Sequence, residues 1–395
     1  MRQQNESQNQ AKLWIFAKIF NFEFNIAFGY PRSDICETCE QNAVQQKEAT
    51  QENDQVRVNQ LQTAHNHHLR QAENFYTAMS NETISALDDD VACLCFDFEK
   101  NLPLPVTNVT KEFFSRQLWI HNFGVHNLRG GESAMYIYSE SYCQKGPNEV
   151  ISSLKHYFDN FLPRHIRKLQ LFSDNSGGQN KNKYVLAFLS SLHDQFEEIT
   201  FSLPIVGHSR MPVDRDFAHI EQLKRKQDKF HFPSDWTNLI HNAQNVSSFQ
   251  VVFLEHPLTD DLVDDGTPIA DVFDYKSAVE SILGPPAGIM SRKSFRFDDQ
   301  GSITSRISTS GPHNLNFQIL KPWASTNLLK QNIRLVNRAY NAYIPLTKAK
   351  FDNIQDLLKN VFIPPEKVFY DHLERSTQNR AADDELEAIL DDEED

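Results

Sequence analysis

Two apolar runs that read as buried strands each end on an aspartate. Val91-Ala-Cys-Leu-Cys-Phe-Asp97 is one, and Lys168-Leu-Gln-Leu-Phe-Ser-Asp174 is the other. In an open sheet, ligands bind outside the strand ends. Two carboxylates at that rim repel each other unless one takes a proton or a cation intervenes. Mg²⁺ or Mn²⁺ suits such a site, because hard divalent ions prefer oxygen ligands. A third acid could come from Gly207-His-Ser-Arg-Met-Pro-Val-Asp-Arg-Asp-Phe-Ala-His-Ile-Glu221, which offers Asp214, Asp216 and Glu221. Such a group could hold two metals, activate a water or hydroxyl and stabilise the leaving oxygen of a phosphodiester. His208, in the same segment, could position a phosphate or take part in proton transfer. Each residue also has an ordinary reading. A strand-end Asp caps a turn or a helix, Asp214 or Asp216 complements a helix dipole, Glu221 pairs with Arg225 at i, i+4, and His208 is a surface loop histidine.

The run Ser173-Asp-Asn-Ser-Gly-Gly-Gln-Asn-Lys-Asn182 follows the second strand. Gly177 and Gly178 permit positive φ and close backbone approach. Amides in such a turn can hold a phosphate oxygen, with Lys181 and Lys183 adding charge. The simpler alternative is a glycine turn with an Asn cap. No Gly-Lys-Ser/Thr follows, so it is not a P-loop. Lys224 and Arg225 open a basic run to Lys229 and extend the candidate nucleic-acid surface. Near the N-terminus, Cys36-Glu-Thr-Cys39 supplies two thiolates where a structural zinc needs four ligands. His65, His67 and His68 could complete a Cys₂His₂ set across a long gap. Otherwise the pair is a helix start with two apolar thiols. Cys93 and Cys95 alternate on a strand and read as core.

The elements that must position these groups are legible from periodicity. Val91–Asp97, Leu118–Val125 and Ala134–Tyr142 read as three strands of an antiparallel meander, with Gly130-Gly131 as a turn. Gly146-Pro147-Asn148 opens a helix with Val150, Ile151, Leu154, Tyr157, Phe158 and Phe161 on its apolar face. A strand at Lys168–Asp174, a helix at Asn182–Phe196, a strand at Ile199–Val206 and a helix at Asp214–Phe230 complete the order β-β-β-α-β-α-β-α. This predicts an α/β fold with the ribonuclease H-like mixed sheet.

Five regions follow. Residues 1–32 form an N-terminal segment whose first twelve positions are polar and Gln/Asn-rich, expected to be partly disordered. Residues 33–88 carry the Cys-x-x-Cys and, over Gln41–Met79, one long, mostly solvated helix, an arm through which the chain could form a homo-oligomer. Residues 89–235 are the core. Residues 236–375 form a small α+β appendage, with a strand at Phe249–Glu255, a hairpin around Gln300-Gly301 and a helix at Phe351–Val361. Residues 376–395 are an acidic tail read as disordered.

The chain has 395 residues and a net charge of −14. Nine acids and no base lie in its last fourteen residues, so the body is only mildly acidic. Coating of nucleic acid by bulk charge is thereby excluded, although a local basic groove is not. No apolar run approaches the roughly 20 residues needed to span a bilayer, and no secretory leader is evident. Five cysteines, an odd number, do not form a disulfide scaffold. A nuclear or cytoplasmic protein is expected, with no membrane partner.

Four motifs carry a family resemblance. They are Phe96-Asp97-Phe98 with Asn101-Leu-Pro-Leu-Pro105, Arg116-Gln-Leu-Trp-Ile-His-Asn-Phe-Gly-Val-His126, the 173–182 run, and the 207–221 run. Together, over about residues 22–250, they resemble a large animal family derived from transposons, domain of unknown function 7869. Tyr343-Ile-Pro-Leu and Phe369-Tyr-Asp-His-Leu373 fit it too. The resemblance implies a ribonuclease H-like, transposase-type core. Asp174-Asn-Ser-Gly is also similar to the Asp-Asn-Gly of retroviral integrase cores, with Ser176 interposed here, which supports Asp174 alone. Two functions are expected from different classes. One is a Mg²⁺- or Mn²⁺-dependent nuclease or polynucleotidyl transferase acting on DNA. The other is an inactive, domesticated core that binds DNA or protein.

Overall fold

In the computed structural model, residues 36–85, 89–243, 249–254, 269–364 and 368–377 are described. The N-terminal segment 1–32, residues 255–268 and nearly all of the acidic tail lie outside the described residues. The first three long strands form the expected meander: β1 (Val91–Phe98), β3 (Leu118–Asn127) and β4 (Ser133–Ser139) pair antiparallel. A short β2 (Leu102–Leu104), absent from the sequence reading, pairs with β3. On the other side of β1 lies β5 (Lys168–Phe172), parallel to it, and then β6 (Glu198–Ser202), parallel to β5. The sheet is therefore mixed.

Later segments lengthen this sheet at both edges. β7 (Gln250–Leu254) joins β4, and β8 (Ile269–Ala270) joins β7. The hairpin of β9 (Ser294–Phe297) and β10 (Ile303–Arg306), with β11 (Leu315–Asn316) beyond it, joins β6. The full order is β11-β10-β9-β6-β5-β1-β3-β4-β7-β8.

Helices cover both faces. On β3, Gly124 faces a helix, and a Cβ there would lie 2.7 Å from Val213 and 2.9 Å from Phe217. Its neighbour Phe123 pairs with Tyr136, whose hydroxyl meets His156 of α3 (Pro147–Asn160). Adjacent strand residues point to opposite faces, so the two helices lie on opposite sides. This explains why Ala92–Phe96 is buried throughout rather than alternating.

The arm differs from the single helix expected. It is a hairpin of α1 (Glu37–Gln51) and α2 (Gln55–Ser85). The break falls at Asn53, in the left-handed region with φ 56°. Asn tolerates that conformation because its short polar side chain bonds locally. The Asp54 amide reaches Ala49 O, and Asp54 Oδ1 accepts the Arg57 amide at 3.0 Å, capping α2. A turn built from Glu52, Asn53 and Asp54, without Gly or Pro, leaves little trace in periodicity. Of α2, Ala72 and Phe75 are buried, and Phe75 packs edge-on against Phe172 of β5.

Candidate functional site

The parallel register of β1 and β5 places the strand-end aspartates. Cys95 pairs with Phe172, and Asp97 and Asp174 each follow two residues later. Both line a cavity of about 610 Å³, with Glu99, Lys145, Ser176 and Gly178. Burial pushes the Asp97 carboxyl well above the usual carboxylate range, and the charges of Asp174 and Asp214 push it further. Burial also raises Asp174, against the hydrogen bonds its Oδ1 accepts from Asn180 Nδ2 (2.7 Å) and the Ser176 amide (3.1 Å).

Glu99 and Lys145 belong to this rim and were missed in the sequence. Glu99 is 2% exposed. One of its oxygens accepts from Asn122 Nδ2 at 2.7 Å, and Oε1 has no donor among the described residues. Burial lifts its carboxyl to about 8. Lys145 donates to Asn101 Oδ1 at 3.1 Å and stands over the Phe98 ring. Its charge favours the ionised forms of Asp97, Glu99 and Asp174. The Asp97/Glu99 spacing, i and i+2 at a strand end, was the available signal.

α5 (Pro212–Lys224) brings the other acids. Asp214 sits in its first turn, and its carboxylate caps the helix by accepting the Met211 amide. It is near enough for its charge to act on Asp97. Asp216 is buried and accepts from Ser133 Oγ at 2.6 Å, with His126 Nδ1 at 2.7 Å, so it fastens α5 to the sheet. Glu221 pairs with Lys224 at 3.1 Å, in place of the expected Arg225, and its charge acts on Glu99.

The 173–182 loop takes the simpler of its two forms. Neither Gly177 nor Gly178 has positive φ, and a Cβ on Gly178 would meet nothing within 4 Å. The first amides of α4 (Lys183–Ser191), those of Tyr184 and Val185, are bonded to the Asn182 side chain. These amides are thus not available for an anion. Lys181 is 1% exposed and donates to Asn175 Oδ1 and Met290 O, both at 2.9 Å, so it ties the loop from within. Lys183 bonds Glu280 at 2.8 Å, Lys224 stands over the Trp236 ring, and Arg225 is exposed. A larger cavity, about 790 Å³, lies elsewhere, beside the exposed Phe113 and Phe114, and has no strand-end carboxylate.

A second group gathers on the arm. Cys36, Cys39, His68 and His208 bring one ligand atom each within 4.8 Å of all the others and could hold a metal ion. Cys36 Sγ is 3.2 Å from His68 Nε2, Cys39 Sγ is 3.4 Å from His208 Nε2, and the two Nε2 atoms are 3.1 Å apart. The α1–α2 hairpin closes the long sequence gap between Cys39 and His68. Of the three arm histidines only His68 takes part. The fourth member is His208, expected from its sequence context either to serve a phosphate or proton transfer or to be a surface loop histidine. Burial lowers the pKa of both imidazoles, favouring the neutral form that binds metals.

The fold and rim define a mixed α/β protein with paired acids at the carboxyl ends of neighbouring parallel strands. The chain belongs to the family described as Domain of unknown function (DUF7869), whose model matches residues 111–310, just over half of the chain. The match contains Asp174, His208, Asp214 and Glu221, and β1 with Asp97 precedes it. No curated protein and no solved structure matches the chain. Among the described residues no helix is long and apolar enough to cross a membrane.

Proposed function

We propose that the chain is a transposase-derived protein with a ribonuclease H-like core that cleaves or transfers phosphodiester bonds in DNA, using Mg²⁺ or Mn²⁺ at the Asp97–Asp174 rim. The observation that carries this reading is the placement of both aspartates at the carboxyl ends of adjacent parallel strands, lining one cavity. The β4-β3-β1-β5-β6 order supports the core assignment, since an antiparallel meander continues there into parallel strands. The donor set suits a hard cation, and the donorless buried oxygen of Glu99 is what such an ion would meet. Asp97 and Asp174 would hold the ion, with Glu99 or Asp214 as the third carboxylate. When bound, it supplies positive charge for the leaving oxygen and a nucleophilic water at neutral pH. Lys145 offers the cavity a charge of the sign a phosphate needs.

The second reading, a core kept for binding alone, rests on how the other candidates are used. Asp214 caps its own helix, and Lys181, Lys183 and Lys224 are engaged within the chain. One experiment separates the two. Supercoiled DNA is incubated with the purified protein and Mg²⁺ or Mn²⁺, beside the Asp97→Asn variant. Metal-dependent nicking lost in the variant supports catalysis. DNA retention without nicking, equal in both proteins, supports a binding module.

The Cys/His group, with two thiols and two imidazoles, has the donor set that selects zinc in this reading.

A further inference from the structure

We infer that a Zn²⁺ held by Cys36, Cys39, His68 and His208 fastens the helical arm to the core and fixes the loop that leads into the acidic helix α5. The inference rests on the zinc reading and goes beyond it by giving the ion a mechanical role.

The geometry is that of a closed four-ligand site. Zinc bonds of about 2.0–2.3 Å in a tetrahedron give ligand-to-ligand edges of about 3.3–3.8 Å. The observed separations of 3.1, 3.2 and 3.4 Å approach those edges. With all four positions taken by protein, none is left for a substrate, which is the pattern of structural rather than catalytic zinc.

The ligands come from three separate places. Cys36 and Cys39 lie at the start of α1, His68 lies in α2, and His208 lies in the loop between β6 and α5. Cys36 and His68 are 32 residues apart, and His68 and His208 are 140 apart. An ion joining them closes long loops that chain entropy otherwise opposes. Among the described residues, α2 otherwise meets the core through the buried Ala72 and Phe75, the partly buried Tyr76 and Met79, and polar contacts such as Thr309 Oγ1 to Gln71 O at 2.8 Å.

The loop side is fitted closely to the arm. Gly207 has φ +78°, and a Cβ on it would lie 2.6 Å from Cys36 Cα. Tyr76 of α2 donates to His208 O at 3.0 Å. Three residues after His208 comes Met211, whose amide Asp214 caps. The tie therefore acts on the segment that sets where α5 begins.

The test uses the full chain and needs no nuclease activity. Protein expressed in zinc-supplemented medium is analysed for metal content, then followed by hydrogen exchange before and after a high-affinity zinc chelator. The expected result is one zinc per chain and, on its removal, faster exchange in residues 37–85 and 203–216 but not in β3 or β5. Added Zn²⁺ should restore protection, and Mg²⁺ should not. Zinc bound with unchanged exchange on removal would overturn the mechanical role and leave the zinc reading standing. Absence of zinc would overturn both. Cobalt(II) substitution gives a check that does not depend on variants folding. Thiolate-to-cobalt charge transfer, weakened in Cys39→Ser, supports this ligand set. A spectrum without it counts against the set.

Discussion

Asp97 near the carboxyl end of β1 and Asp174 just beyond that of its parallel neighbour β5 each follow the Cys95–Phe172 pair by two residues. Their mutual repulsion is built into the backbone register. The Asp97 carboxyl is raised by burial first and by the charge of Asp174 next. A divalent ion would reverse both effects by favouring the ionised forms. Mg²⁺ binding should therefore release protons, and release should grow as pH falls. Calorimetric titration in two buffers of different ionisation enthalpy measures this directly. Equal heats in both buffers would count against carboxylates with raised pKa values as the ligands.

Glu99 should give stability a recognisable pH dependence. Its carboxyl is lifted from an ordinary 4.5 to about 8 by burial. Between those values the folded protein keeps a proton that the unfolded chain has released, so stability falls as pH rises. Glu149, buried and raised to about 7, contributes with the same sign. The informative quantity is thus the difference between wild type and Glu99→Gln. In magnesium-free buffer the variant's stability relative to wild type should rise between pH 4.5 and pH 8 by on the order of a few kcal/mol. Urea midpoints across that range provide the measurement.

Gly124 sets how closely α5 approaches the sheet. Its missing Cβ makes room for Val213 and Phe217. Gly124→Ala should cost about 1–3 kcal/mol by overpacking. It should also weaken metal binding at the rim, because Asp214 moves with α5. Denaturant unfolding and Mg²⁺ titration of the same sample test both. An unchanged midpoint would show that the contact relaxes without strain.

Lys350, 2% exposed, pairs with Glu140 at 2.8 Å and lies over the Trp119 ring. It joins the helix Lys348–Leu357 to the end of β4. Lys350→Met leaves a carboxylate short of its cation and should destabilise by about 3–5 kcal/mol. Adding Glu140→Gln should recover part of the loss. A double variant no better than the single one would point to packing against Trp119 instead.

The order of core elements was legible because its strands are continuous apolar runs and its helices show clear 3.6-residue spacing. Asp97 and Asp174 stood out for the same reason, as charges ending apolar runs. What escaped notice depends on through-space contact. The fold of the arm turns on one left-handed Asn53, so the sequence leaves open which of His65, His67 and His68 meets Cys36. His208 joins them from 140 residues beyond His68. Lys181 looked like a phosphate contact, but its amine is satisfied by Asn175 and Met290, a segment far along the chain. The short β2 and α6 (Pro233–His241) lack enough periods to register, although Trp236 of α6 is fully buried against Phe230.

The strands contributed after residue 249 carry a practical consequence for anyone trimming the chain. A fragment stopped at residue 235 would keep every rim acid yet strip β7 from β4 and β9 from β6. Two rows of backbone amides and carbonyls would then face water, and such bare margins recruit other chains into aggregates. The smallest unit fit for biochemistry is accordingly larger than the one that bears the acids.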